Sequence, residues 1–264
     1  MAITPSQTQA IDRYIKAACD AGCPADQIER FLKAGVILQP TQLKASAAAR
    51  MCDLKDGPTS IGYGGARGGG KTHWGLAQVG IDDCQRFGDL KFLFLRKVGK
   101  SGRESFEDMI PKIFRFVKYK YTRNPNMLIF PETGSRIILG HYQSDSDIDS
   151  YLGLEYDGQL TEEATTLTTR KRRDIATCLR TSKPYWRPRS YSTTNPGNVG
   201  HASYKKEFID PWKKGTETDT RFISATVRDN RFVNDDYVRQ LEKLTGWQRK
   251  SWLDGDWDIQ AGQF

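Results

Sequence analysis

The run Gly65-Ala66-Arg67-Gly68-Gly69-Gly70-Lys71-Thr72 fits G-x-x-x-x-G-K-[ST] at every position, and it restricts the fold around it more than any other feature of the chain. Glycines let the backbone turn so that successive N–H groups face phosphate oxygens. The helix that must follow offers its positive N-terminus to the same anion. Lys71 can reach β- and γ-phosphates, and the Thr72 hydroxyl can ligate Mg²⁺. The motif requires a strand before it and a helix after it. Both are legible: Ser60-Ile61-Gly62-Tyr63 reads as a short strand, and a helix is expected from about Lys71 to Phe87. A glycine-rich surface turn that happens to precede Lys-Thr would need no such context. Arg67 lies inside the loop, four residues before Lys71. There it can stabilise charge on a leaving γ-phosphate; the plainer alternative is an arginine facing solvent.

The rest of the chain alternates in a way that predicts an α/β fold. Residues 1–36 read as helical, with Ser6 or Thr8 as caps of a first segment, Pro24 opening a second and Gly35 closing it. Leu38 to Met51 is a third helix candidate. Lys91 to Leu95 is a buried strand signal. Ser105 to Tyr119 has helical spacing, and Met127–Phe130 with Arg136–Leu139 flank a hairpin turn. Gly158–Thr161, Arg189–Thr194 and Arg221–Val227 are further strands. Thr168–Arg180, Asn234–Leu244 and Trp247–Leu253 are further helices. Strands alternating with helices imply a mainly parallel central sheet flanked by helices.

Glu162-Glu163 stands at the end of the Gly158–Thr161 strand. One acid there can hold Mg²⁺, and a second can take a proton from an attacking water if it lies within hydrogen-bond reach. Strand alternation would throw the two side chains to opposite sides, so the strand must end at that point. Alone, such a pair is most often a solvated surface; the phosphate loop upstream changes that reading. Asp157 is the competing acid.

Of the 264 residues, 40 are Lys or Arg and 32 Asp or Glu, a net charge of +8. That excess suits a polyanionic partner and says nothing about fold. Apolar residues at 38% suffice for a packed core, which argues against wholesale disorder. No run of about 18 apolar residues occurs, so no membrane-spanning helix is expected. Met1 to Arg13 is mixed and polar, so no secretion leader is expected. Cys19, Cys23, Cys52, Cys84 and Cys178 are scattered and odd in number, which points to a reducing compartment. Cys19 and Cys23 lie far from His73, His141 and His201, so no metal site is expected of them.

Taken in order, these motifs resemble the N-terminal ATPase domain of the large terminase subunit of tailed bacteriophages. Gln42, in Pro40-Thr41-Gln42-Leu43, resembles the upstream glutamine that reads adenine in that family. Gly64 to Thr72 resembles its Walker A, with Arg67 in place. Leu160-Thr161-Glu162-Glu163-Ala164 resembles its Walker B and catalytic glutamate, with Glu162 where the family usually has Asp. Thr193-Thr194-Asn195-Pro196-Gly197 resembles its coupling motif. Leu253-Asp254-Gly255-Asp256-Trp257, followed by Gly262 and Phe264, resembles the segment that leads into the family's nuclease domain.

The resemblance covers roughly residues 38–264 and implies a RecA-like P-loop NTPase. It implies three parts: an N-terminal helical segment (1–36), an ATPase core (37–207), and a small lid subdomain with a linker towards a nuclease domain (208–264). Implied nucleotide-binding residues are Gln42, Gly65, Ala66, Arg67, Gly68, Gly69, Gly70, Lys71, Thr72 and Asn195. Thr72 and Glu162 are the implied Mg²⁺ ligands; Glu163, Lys71 and Arg67 are the implied catalytic groups. Asn195 would sense the γ-phosphate, an amide being able both to donate and to accept; a plain Asn-Pro-Gly turn is the alternative.

The resemblance further implies ATP hydrolysis that drives double-stranded DNA into a viral procapsid, in the host cytoplasm. Portal or procapsid and a small terminase subunit would be partners, and the working form would be a homo-oligomeric ring. A ring needs an arginine supplied in trans: Arg96, Arg103 and the Lys97-to-Arg103 loop follow the Phe92–Leu95 strand, a suitable edge position, and Arg103 is the candidate. Arg170-Lys171-Arg172-Arg173 is the densest basic run and can contact DNA phosphates. Tyr185 to Arg189 either touches DNA or covers a sheet edge. The nuclease acids have no counterpart, so DNA cleavage is not expected of this chain. Another ring helicase or translocase, a small-molecule kinase, and a nucleotide-gated assembly module without turnover are the alternatives. The second glutamate argues against a kinase, which should exclude water.

Overall fold

The computed structural model describes residues 5–144, 147 and 150–259. Three helices come first: α1 (Pro5–Asp20), α2 (Ala25–Lys33) and α3 (Pro40–Met51). Ser6 and Thr8 lie inside α1 instead of capping it. Gly35, at φ +69°, turns the chain out of α2. A reciprocal capping box between Gln39 and Gln42 starts α3.

Eight strands follow: β1 (Ser60–Gly65), β2 (Lys91–Arg96), β3 (Lys120–Arg123), β4 (Asn126–Ile129), β5 (Arg136–His141), β6 (Gly158–Thr161), β7 (Arg189–Thr194) and β8 (Thr220–Ala225). They form one sheet in the order β3-β4-β5-β2-β6-β7-β1-β8. From β5 to β8 every neighbouring pair is parallel. Only the β3-β4-β5 end is antiparallel. The expected mainly parallel α/β sheet is therefore present. β2 lies between β5 and β6, so it is an interior strand and not the edge assumed for the stretch leading to Arg103.

Between the strands run α4 (Lys71–Ala77), α5 (Gly99–Ile113), α6 (Thr169–Ala176) and α7 (His201–Tyr204), and after β8 come α8 (Asp235–Glu242) and α9 (Gly246–Arg249). α4 widens into a π-helical stretch, Gln78–Asp83, and ends with Cys84–Arg86. α7 continues through π-helical Lys205–Ile209 into Asp210–Lys214, and α9 into π-helical Lys250–Asp254. Gly75 lets α4 lie close on β6, since a Cβ there would fall 2.7 Å from Leu160 Cδ1.

The main core lies on one face of the sheet, where Ile61, Tyr63, Trp74, Phe92, Phe94, Leu160 and Tyr191 meet the first three helices and α4 and α5. The opposite face carries two smaller clusters. One holds Leu93, Leu95, Tyr142 and Ile175; the other holds Tyr204, Phe208, Phe222 and Trp257.

Two expected helices move. The one placed at Ser105–Tyr119 is α5, Gly99–Ile113, so Arg103 sits on a helix and not in a loop. Its glycine-containing first turn hides the start from a propensity reading, yet Gly102 is buried against the Arg96 side chain. The basic helix placed at Thr168–Arg180 stops at Ala176, with the Thr168 hydroxyl accepting from Lys171 N–H as its cap. β8 falls inside the stretch assigned to the lid, yet it pairs with β1 along its length, with Phe222 on one sheet face and Ala225 on the other. Beyond β8, Val227, Leu241 and Leu253 pack into a small cluster of their own. Gly262 and Phe264 lie outside the described residues. Among the described residues, no helix is long and apolar enough to cross a membrane.

Candidate nucleotide site

The parallel registers bring the carboxyl ends of β1, β6 and β7 to one edge: Gly64 pairs with Thr194, and Thr161 with Ser192. Open α/β sheets bind ligands outside the carboxyl ends of their strands. Here that edge opens on a cleft of about 530 Å³ lined by Arg67 to His73, Met109, Glu163, Asn195, Asn230, Val233 and Tyr237.

The loop between β1 and α4 is held from behind. Ala66 N–H donates to Ala225 O at 2.9 Å and Arg67 N–H to Trp252 O at 2.8 Å. Tyr63 OH donates to Gly69 O at 3.0 Å, Asn230 Nδ2 to Gly68 O at 2.5 Å and Gln42 Nε2 to Gly70 O at 2.9 Å. Gly70 adopts φ +69°, and a Cβ there would meet Gln42 Nε2 at 2.7 Å, so glycine is required. The loop carbonyls are thus engaged outward. Among the described residues, none accepts the N–H groups of Gly68, Gly69, Gly70, Lys71 or Thr72. They belong to the loop and first residues of a helix start, where backbone donors lack intrahelical partners, and all five residues line the cleft. Lys71 Nζ donates to Ala66 O at 2.6 Å. Burial, reinforced by the Arg67 charge, pulls its ammonium down to about 8.

β6 ends at Thr161, and the chain then breaks sharply: Glu163 takes a left-handed conformation, φ 50° and ψ 45°. Such a conformation is costly for a non-glycine residue and recurs at functional sites. The break lets both acids face the cleft edge instead of opposite sheet faces. Glu162 is 2% exposed and hydrogen-bonded by the Thr72 hydroxyl. Burial pushes its carboxyl up, opposed by the Thr72 hydrogen bond and the Arg96 charge. Arg96, at the end of β2, donates to Glu163 Oε1 at 2.8 Å and to Glu162 Oε2 at 3.4 Å.

Next to Glu163, the Thr165 hydroxyl donates to Asn195 O at 3.0 Å and accepts from the Thr194 hydroxyl at 2.9 Å. Asn195 therefore sits one residue pair away from the acids. Its Oδ1 is buried without a hydrogen-bond partner, and buried polar atoms in that state call for an explanation. Free amides, an ammonium and a guanidinium around one cleft fit a nucleoside triphosphate, and the orphaned amide oxygen suits a water or another donor beside it. Thr72 Oγ1 and Glu162, already in contact, are hard oxygen donors of the kind Mg²⁺ takes. No group of three or more His, Cys, Asp and Glu side chains converges among the described residues, so the protein offers few metal ligands beyond this pair.

Other expected residues stand elsewhere. Gln42 is beside the loop, but its amide is committed: Oε1 accepts from Gln39 N–H at 2.9 Å and Nε2 bonds Gly70 O. Arg103 is exposed on α5 and lines a separate small hollow with Asn126 and His141. Asp157 lies just before β6, at the strand's other end, where Lys91 N–H donates to it at 2.7 Å and Lys183 pairs with it at 2.8 Å. The basic run of α6 flanks the opposite sheet face, with Arg172 paired to Glu207 at 2.9 Å. Of the Tyr185–Arg189 stretch, Trp186 and Arg189 are core: Arg189 is buried, stacked 3.7 Å from the Trp186 ring and paired with Asp53. The sequence reading missed Gln39, Asn230, Tyr237 and Trp252. Their only signal was polar or aromatic character in segments with no motif.

Residues 59–253 match the family model described as phage terminase large subunit. Among solved structures, the large terminase of a thermophilic bacteriophage in complex with ATP-γ-S is 16% identical, with a TM-score of 0.66 over 83% of this chain and 52% of that one. The same protein with ADP gives 17%, 0.67, 83% and 54%. The large terminase of bacteriophage HK97 gives 14% identity and a TM-score of 0.52, over 71% of this chain and 39% of that one. The chain thus spans about half the length of the thermophilic phage's protein. At such identities the likeness concerns the fold. No curated protein matches the chain.

Proposed function

The chain belongs to the phage terminase large-subunit family, and from that premise we propose that it is a Mg²⁺-dependent ATPase whose turnover drives double-stranded DNA into a procapsid. One observation carries the reading: Glu163, strained into a left-handed turn, lines the same cleft as a phosphate loop whose amides are unclaimed.

The unclaimed N–H groups of Gly68 to Thr72 bind the β- and γ-phosphates, and Lys71 neutralises their charge. Thr72 and Glu162 would hold Mg²⁺, whose chemistry there would be to offset charge on the phosphate oxygens. Glu163 orients a water and takes its proton as the water oxygen bonds to the γ-phosphorus and the bond to the β-phosphate oxygen breaks. Arg67 stabilises charge that grows on the transferring group. Asn195, tied through Thr165 to the acids, feels the loss of the γ-phosphate. The cluster of Val227, Leu241 and Leu253 beyond β8 serves as the lid. The ring, a trans arginine for which Arg103 is the candidate, and the portal and small-subunit partners rest on the family pattern.

The test is Glu163→Gln with ATP binding and single-turnover hydrolysis measured side by side. Hydrolysis is expected to fall by on the order of 10²–10⁴-fold with binding intact. Unchanged hydrolysis would remove Glu163 from its role. Turnover that DNA does not stimulate in an assembled ring would leave an ATPase without the motor assignment.

A further inference from the structure

Arg67 is the one charged side chain of the phosphate loop besides Lys71, and among the described residues no carboxylate pairs with it. Its partner is aromatic. The guanidinium carbon lies 3.4 Å from the centroid of the Trp252 ring, and Arg67 N–H donates to Trp252 O at 2.8 Å. One residue of the C-terminal segment therefore grips both the backbone and the side chain of Arg67.

That segment is itself fastened to the site. The Ser251 hydroxyl, buried, donates to Pro196 O at 2.7 Å, beside Asn195. Gly255, at φ +67°, lies so close to the loop that a Cβ would fall 2.7 Å from Ala66 N. Trp252 packs edge-on against Trp247 at 5.8 Å, and Leu253 is buried with Val227 and Leu241. The π-helical turn Lys250–Asp254 thus touches the phosphate loop on one side and the Asn195-Pro196 turn on the other, while its core belongs to the lid cluster.

We propose that Trp252 is the positioning residue of Arg67: its ring holds the guanidinium at the mouth of the cradle until a γ-phosphate takes it, so that the lid turn registers nucleotide directly. This rests on the ATPase reading above. An arginine on a long flexible stem samples many rotamers in solvent, and a stacked ring limits them without neutralising the charge, as a carboxylate would. The charge therefore stays available for phosphate.

The test uses the full chain and compares Trp252→Ala, Trp252→Phe, Arg67→Ala and the double variant Arg67→Ala/Trp252→Ala. Trp252→Ala is expected to lower kcat by about 5-fold, the order of an exposed cation–π contact, with KM little changed. Trp252→Phe keeps an aromatic face and is expected to retain most of kcat. In the Arg67→Ala background, removing Trp252 should cost nothing more. Equal losses from Trp252→Ala with and without Arg67 would overturn the proposal, as would an unchanged kcat. Tryptophan emission gives a second reading that does not depend on turnover. The component absent from Trp252→Phe should change on adding ATP-γ-S in the parent chain and not in Arg67→Ala. A component that ignores ATP-γ-S, or responds without Arg67, also overturns it. If Arg67→Ala itself leaves kcat intact, the role of Arg67 in hydrolysis fails, which is a different result from Trp252 proving irrelevant to an essential Arg67.

Discussion

The Arg96 guanidinium donates to the Glu163 carboxylate at 2.8 Å, and its other terminal nitrogen lies 3.4 Å from Glu162. One cation from β2 therefore serves both acids at the end of the neighbouring strand. Its position follows from the register: Leu95 pairs with Thr161, which puts the next residue of each strand side by side. Arg96 is expected to orient Glu163 as well as to compensate Glu162, which is 2% exposed. Arg96→Ala should lower hydrolysis by at least about 10-fold. It should also lower stability by about 1–3 kcal/mol, because a buried carboxylate loses its cation. Adding Glu162→Gln should recover stability without recovering turnover. Urea midpoints and single-turnover rates check both. A variant as stable and as active as the parent would show that the pair is idle.

Arg103, proposed above as the trans arginine, stands away from the cleft of its own subunit. It is exposed on α5, does not line the cleft of Arg67 and Glu163, and makes no ion pair among the described residues. If it completes a neighbour's site, Arg103→Ala alone should be nearly inactive in the assembled form. Mixing it with Glu163→Ala subunits should restore part of the activity, since each supplies what the other lacks. Activity that merely averages the two inactive forms would argue that the trans arginine is another residue.

Asp83 couples stability to pH. It closes the π-helical stretch after α4, fully buried, accepting from Tyr191 OH at 2.8 Å, with Asp82 beside it and Arg86 and Arg189 facing it. Burial pushes its carboxyl up to about 7, against the pull of Arg189. An unfolded chain releases that proton near pH 4, so between about 4 and 7 the native state holds a proton that the unfolded state has lost. The stabilisation is full below that window and is lost as pH rises through it, by up to about 1.4 kcal/mol per pH unit. Asp83→Asn keeps an acceptor for Tyr191 and should flatten this slope. Urea midpoints at pH 5 and 7.5 report it; a slope identical to the parent's would show that another group carries it.

What could be read in the sequence divides along physical lines. β1, β2, β6 and β7 and the phosphate loop were legible, because buried apolar runs and glycine-rich turns are local signals. Glu162 and Glu163 were legible as a pair. The left-handed backbone at Glu163 was not, because the turn that follows it is tied through Thr165 to Thr194 at the end of β7 and to Asn195 just past it, partners some thirty residues away in sequence. Arg96 was noticed for the wrong reason: strand order, which makes β2 interior, is not written in the strand itself. α5 was misplaced because Gly99 and Gly102 weaken helix propensity, while the burial of Gly102 against Arg96 overrides it. Trp252 and Asn230 carried no signal, since their meaning comes wholly from folding back on residues 67 and 68.

Gln42 separates two kinds of nucleotide preference. The family pattern makes it a reader of adenine, yet its amide oxygen and nitrogen are both spent, on Gln39 N–H and Gly70 O. Gln39 in turn accepts from Arg231 N–H at 2.7 Å and donates to Asn230 at 2.8 Å, while Asn230 holds Gly68 O. The two glutamines and the asparagine form a chain of hydrogen bonds from α3 to both ends of the glycine run. In this arrangement Gln42 braces the cradle, and every nucleotide triphosphate benefits alike. Gln42→Ala should then weaken ATP and GTP by the same factor, on the order of 10-fold for a lost buried hydrogen-bond pair. An adenine reader should instead lose ATP affinity while GTP is unaffected, because only adenine offers the edge that its amide would pair. Equilibrium titration of the variant with both nucleotides decides it. A selective loss of ATP would mean that Gln42 leaves Gly70 when the base arrives.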